Sequence, residues 1–398
     1  MKPIATNIAD FEALRKRGHV YVDKTAYLHK MITDPSRTFF FCARPRRFGK
    51  SLSVTTLKSI FLGHREYFEG LAIAQTDYDW KPHAVIHFNW GMVSVANYDR
   101  FIETLANRVK VCLIEAGYSY DDSKVPSDNL TDAINYFYER DGVGPVILID
   151  EYDDPVAKAL ANIELAEQIR TELSAIYAQF KDNSEKIRFL YIIGVSKFTK
   201  LSIFSCLSSL NDISFDDCYA ALYGYTEEEL TANFDEHMQL KAQRMGLSYA
   251  AFRDELKRWF NGYRFTPEND TTVYNPVSIS LTLVSDSSYL KATWTTTGRP
   301  SMLMNFIKRE GMLSINPDRA INAVDVDFES SDLSDIPVVG LLYQTGYLTI
   351  ADYANGVYRL RVPDEEVRQD VAALVAGAYA DRSAQWSASL GGKLRAGC

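Results

Sequence analysis

No apolar run in this 398-residue chain approaches the roughly 18 residues that a membrane-crossing helix needs. Residues 1–20 also lack the apolar core of a secretion leader, because Lys2, Arg15, Lys16 and Arg17 interrupt them. Cysteine is scarce. The five, Cys42, Cys112, Cys206, Cys218 and Cys398, include no CxxC pair, which argues against a structural zinc site. Their odd number and the missing leader lead us to expect a reducing cytoplasm. Positive charge is in deficit: 43 Lys and Arg face 52 Asp and Glu, a net charge of −9. Such a chain is not drawn to nucleic acid or anionic membrane by its overall field, although a local basic cluster can still hold an anion. Internal repeats and low-complexity tracts are absent. What is present, 46% hydrophobic and 24% charged residues, is the composition of a globular protein long enough for two or three domains.

One such basic cluster follows the apolar run Phe39-Phe40-Phe41-Cys42-Ala43: Arg44-Pro45-Arg46-Arg47-Phe48-Gly49-Lys50-Ser51. The order reads as buried strand, tight loop and helix start. Backbone N–H groups of such a loop, and the positive end of the following helix, favour phosphate. Lys50 is expected at the β- and γ-phosphates and the Ser51 hydroxyl at Mg²⁺. The pattern GxxxxGK[ST] wants glycine where this chain has Arg44 followed by Pro45. A residue before proline prefers an extended backbone, so the loop is expected to enter by a more open path, with Arg46 or Arg47 turned to the nucleotide or to an acid.

A second motif lies about 100 residues on. Pro145-Val146-Ile147-Leu148-Ile149 runs into Asp150-Glu151-Tyr152-Asp153-Asp154. Five apolar residues in succession suggest a strand buried on both faces of a parallel sheet, beside the loop strand. Asp150 at its end is expected to share Mg²⁺ with Ser51, and Glu151 to polarise the attacking water. A solvated acidic turn would look similar in isolation, but the two motifs together specify much more than either alone.

Further strands are expected at 85–89 and 188–195, and helices at 26–33, 50–62, 98–116, 130–140 and 157–180, with a polar connection over 121–129. Strands alternating with helices to residue 222 imply an α/β core with a doubly wound parallel sheet, which binds ligands at the carboxyl ends of its strands. Ser196, just past such an end, is a candidate to sense the terminal phosphate, with Lys197 or Lys200 supplying charge; the same serine would also suit a helix cap. After Gly224 the pattern turns helical, and residues 223–300 are expected to form a helical lid in which Arg264 or Arg299 is a candidate phosphate contact. From 301, helices and a hairpin around Asn355-Gly356 suggest a winged-helix-like module, apparently truncated at 398. Its acidic stretch 325–335 favours a structural role there over DNA binding. Residues 1–35 are an N-terminal arm and 36–222 the core.

These motifs resemble the bacterial AAA-ATPase-like family. The resemblance rests on Tyr21-Val22-Asp23-Lys24-Thr25, RPRRFGKSL at 44–52, VILIDEYDDP at 146–155, GVSKF at 194–198, SIFS at 202–205, NGYRF at 261–265, YNPVSI at 274–279 and LLYQTGYLTI at 341–350. It implies a P-loop ATPase with an arginine-rich phosphate loop, in which Arg44, Arg46, Arg47, Phe48, Gly49, Lys50, Ser51 and Leu52 hold ATP, with Asp23 from the arm. Lys50, Glu151 and Ser196 are then the candidate catalytic set, and Ser51 with Asp150 the metal ligands. Members often continue into a PD-(D/E)xK nuclease-like domain. Residues 363–368 carry acids but no suitably spaced lysine, so nuclease activity is not expected here. The expected activity is Mg²⁺-dependent ATP hydrolysis coupled to movement of the lid and the last module. The alternatives are a nucleotide-gated interaction switch or a DNA-binding regulator. ATP is preferred to GTP because no NKxD motif is present. A protein partner or a second copy of the chain stays open.

Overall fold

The computed structural model describes residues 1–197, 207, 209–293, 319–330 and 332–373. After α1 (Phe11–Lys16) and α2 (Thr25–Ile32), the chain enters β1 (Phe39–Ala43), whose five residues are all buried. Successive strand residues face opposite ways, so a wholly buried strand must be covered on both faces. The same holds for β3 (Val146–Asp150) and β4 (Phe189–Gly194). Together with β2 (Val85–Asn89) and the two-residue β5 (Asn211–Asp212), they form a parallel sheet of order β2-β3-β4-β1-β5. Phe40 and Phe41 are fully enclosed, and burying each stabilises by about 1.5–3 kcal/mol.

Three expectations change. β3 was expected beside β1, but β4 pairs with both and lies between them. Asp150 still meets the loop because α3 (Lys50–Phe61) crosses over to pack on β3. The expected polar connection over 121–129 ends early, since α4 (Tyr98–Glu115) is followed by α5 from Pro126 to Asp141, with proline in its first turn. The single helix expected over 157–180 is two, α6 (Asp154–Ala159) and α7 (Ile163–Asp182). Asn162 separates them by accepting from the Leu165 N–H and capping the second.

Beyond the sheet, Thr226 and Glu229 form a reciprocal capping box that starts α8 (Glu227–Arg244). It is followed by α9 (Tyr249–Phe260), a small antiparallel pair of β6 (Asn261–Tyr263) and β7 (Val273–Tyr274), and α10 (Pro276–Val284). Leu230, Phe234, Phe252, Leu256, Phe260 and Ile279 form a hydrophobic cluster of their own. The last described part holds β8 (Ile321–Ala323), α11 (Val338–Gln344), β9 (Thr349–Ala354) and β10 (Val357–Arg361), in a three-stranded sheet of order β8-β10-β9. A turn at Asn355-Gly356, both at positive φ, joins the last two strands. Residues 365–373 are helical. This part packs on the main core through Phe215 against Phe328, Tyr343 and Tyr358. The SIFS segment, Lys200, Arg299 and the helix expected at the start of the last module lie outside the described residues, as does the chain beyond 373.

Candidate functional site

The loop between β1 and α3 turns sharply at two places. Gly49 caps α3 in the left-handed region at φ 90°, and Arg47 sits there too at φ 72°. A side chain at residue 49 would meet nothing within 4 Å, so glycine is needed there for its backbone and not for space. Lys50 opens the helix and is buried. Its ammonium donates to the carbonyls of Arg44 (3.0 Å) and Pro45 (2.8 Å), folding back into the loop it closes. Burial lowers its pKa to about 8, against the opposing pull of Asp150.

The Ser51 hydroxyl lies beside the Asp150 carboxylate and favours its charged form. Asp150 ends β3 and is 1% exposed, and burial is the main reason its pKa is raised. Its Oδ1 is buried with no hydrogen-bond partner. An orphaned carboxylate oxygen beside a serine hydroxyl is a donor set that fits a divalent cation with oxygen ligands, so the residues present suit Mg²⁺. Glu151 follows in the left-handed region at φ 54°, a conformation costing a non-glycine residue about 1–3 kcal/mol. Burial, then Asp154 and Asp150, raise its pKa. The carboxylate rests against Gly91, where an added Cβ would fall 1.5 Å from Oε2.

These groups share one cavity of about 460 Å³, within the range of small-molecule sites. Arg46 through Ser53, Asp150, Glu151 and Val195 form one side. Ile4–Ala9, Tyr21, Val22 and Lys24 from the N-terminal arm line it as well, with Phe234, Pro276, Val277 and Ser280 from the helical segment. Arg46 pairs with Asp154 at 3.2 Å, and Arg47 donates to the carbonyl of Thr293 at 3.0 Å. Phe48 lines the cavity too and is buried, its ring edge-on to Tyr263 and Phe265.

Three residues expected at the ligand do not line this cavity. Arg44 turns its guanidinium into the core, where it donates to the carbonyls of Ser214 (2.7 Å) and Ala43 (3.0 Å) and lies 4.5 Å over the Phe265 ring. It reaches the loop only through its backbone carbonyl. Asp23 is occupied by the N–H and hydroxyl of Thr25 and the N–H of Ala72. The Ser196 hydroxyl donates to Asp153 at 2.5 Å. Lys197 is buried in an ion pair with Asp212 (2.8 Å), and Arg264 is held by Asp270 and by the carbonyl of Thr266. Both cations are therefore occupied away from the cavity.

Two contributors escaped the sequence reading. Asp153 accepts from the N–H groups of Val195 and Ser196 and ties the ends of β3 and β4 together. Lys24 bonds Glu229 at 2.6 Å and the Ala221 carbonyl at 2.7 Å, joining the arm to α8. Asp153 was visible as one of several acids, but its partner depends on strand order. Residues 4–9 carry no periodic signal at all.

A family model described as predicted AAA-ATPase matches residues 5–204. The uncharacterized protein in the vnfD 5′ region of Azotobacter chroococcum mcd 1 is 32% identical over 376 residues, which cover 92% of this chain and 68% of that protein. No solved structure matches.

Proposed function

The chain belongs to the predicted AAA-ATPase family, and from this we propose that it binds Mg²⁺-ATP at the loop before α3 and hydrolyses it. The observation that carries the reading is the convergence of Lys50 and Ser51 from α3 with Asp150 and Glu151 from β3 on a single cavity. In this account the triphosphate draws the Lys50 ammonium off the loop carbonyls, while loop N–H groups, Arg46 and Arg47 meet the remaining oxygens. Ser51 and Asp150 hold the metal, which supplies charge neutralisation on the phosphates. Glu151, its basicity increased by burial and neighbouring acids, takes the proton of the attacking water. The apolar part of the cavity, between Ile4–Ala9 and Phe234, accommodates the base. Residues 227–284, which wall that part, act as a lid whose position follows the nucleotide.

The roles separate by substitution. Glu151→Gln keeps size and loses the base, so ATP binding persists while phosphate release stops. Asp150→Ala removes a metal contact, so affinity falls in Mg²⁺ and changes little in chelator. Calorimetric binding and phosphate release on the two folded variants check this. If both variants lose binding and turnover equally, the division of roles is refuted.

A further inference from the structure

We infer that Glu366 is a positioning residue that fixes Arg47 at the phosphate end of the cavity and thereby ties the C-terminal segment to the nucleotide. The inference rests on the nucleotide reading above and goes beyond it by naming the link.

Arg47 is a loop residue held at a positive φ that only its surroundings can sustain. One arm of its guanidinium, Nη1, donates to the Thr293 carbonyl, while Nη2 is buried with no partner although the residue lines the cavity. A buried donor left unsatisfied is costly, and a phosphate oxygen would satisfy it. Thr293 is held in turn. Its N–H and its hydroxyl both donate to Glu366 Oε1 at 2.8 Å. The other oxygen of the same carboxylate accepts from the Ser278 hydroxyl at 2.6 Å, and Ser278 belongs to α10, whose neighbours Pro276, Val277 and Ser280 line the cavity.

Glu366 is completely buried and lies in the helical stretch that follows β10. One carboxylate thus joins the linker that holds Arg47, the helix that walls the cavity and the C-terminal segment. That segment is seated closely. A Cβ on Gly262 would fall 2.1 Å from the Pro363 carbonyl, so β6 and the residues before Glu366 cannot separate without breaking this packing. The negative charge of Glu366 also favours the charged form of Arg47, whose pKa burial otherwise lowers. Movement of residues 363–366 would therefore shift Thr293 and release Arg47.

The test is ATP affinity, by calorimetry in Mg²⁺, for the parent and for Arg47→Ala, Glu366→Ala, Glu366→Gln and the double alanine variant, with thermal unfolding as a check on folding. Arg47→Ala should weaken binding about tenfold, the value of one charge-assisted hydrogen bond. Glu366→Ala should weaken it several-fold. The double variant should bind no worse than Arg47→Ala alone, because the two residues act in series. Glu366→Gln should restore most of the loss, since its amide oxygen still accepts from Thr293. Losses that add, or a folded Glu366→Ala chain with parental affinity, overturn the inference. If the alanine variant does not fold, Glu366→Asp replaces it: a side chain one methylene shorter cannot reach Thr293 and Ser278 together, and unchanged affinity there overturns the link. A parent chain that binds no ATP overturns the nucleotide reading itself, and this inference with it.

Discussion

At the scale of single residues, function follows from which polar groups are left unsatisfied. Asp150 has an orphaned oxygen, Lys50 is held only by loop carbonyls, and Glu151 occupies a strained backbone position. Arg44 and Asp23 are by contrast turned away from the cavity, Arg44 through Nη1 to the Ser214 and Ala43 carbonyls and Asp23 to Thr25 and Ala72. The sequence led to Lys50, Ser51, Asp150 and Glu151 through residue type and position at a strand end or helix start, and all four line one cavity. It could not separate Arg44 from Arg46, because the difference lies in which carbonyls and rings surround each guanidinium after folding. Lys50 yields a pH prediction. With its pKa lowered to about 8 in the free protein, the ammonium that meets phosphate is largely present at pH 7 and half lost at about 8. Phosphate stabilises the charged form, so ATP affinity should be highest near pH 7, about twofold lower at about pH 8, and fall above that by up to about tenfold per pH unit. Calorimetric titrations across pH 7–10 check this; affinity that rises with pH would contradict it.

At the scale of elements, the site depends on turns at strand ends. β4 lies between β1 and β3, an order that period and burial cannot reveal because all three strands read as the same apolar run. Asp153 needs that order, since it bonds the residues that follow β4. The turn to helix after Gly224 was legible, where Thr226 caps a run of acids, whereas the starts at Pro126, inside a polar stretch, and at Asn162, within a continuous helical pattern, were not. The short turn after β2 supports Glu151. Its Gly91 N–H is held by Asn89 at 3.0 Å, its carbonyl by Lys158 at 2.8 Å, and its missing side chain leaves room for the glutamate. Gly91→Ala should displace the flexible end of Glu151 and little else. Turnover should fall at least about tenfold, the cost of roughly 1.4 kcal/mol in the barrier, with ATP affinity within about twofold of the parent. Parallel measurement of phosphate release and binding decides, and parental turnover would show that Glu151 does not act from this position.

At the scale of the whole molecule, the core is joined by three stretches far apart in sequence, of which the arm and α10 line the cavity. The arm is pinned to α8 through Lys24 and Glu229, α10 walls the apolar side, and the C-terminal sheet packs onto Phe215 of the main core. Sequence patterning marked helices after the sheet and a hairpin around Asn355-Gly356 in the last part. It did not show that the helices keep a hydrophobic cluster of their own while the last sheet joins the main core. Such long-range partners are set by surface complementarity between elements, which leaves no periodic trace. The central claim is that the loop before α3 holds the triphosphate. The most direct measurement is calorimetric titration of the purified chain with ATP in Mg²⁺, repeated on Lys50→Ala with its fold checked by circular dichroism. Saturable binding by the parent, weakened more than tenfold in the variant through loss of a charge-assisted contact worth about 1.5–3 kcal/mol, is the predicted result. A folded Lys50→Ala chain that binds ATP as the parent does would contradict the account.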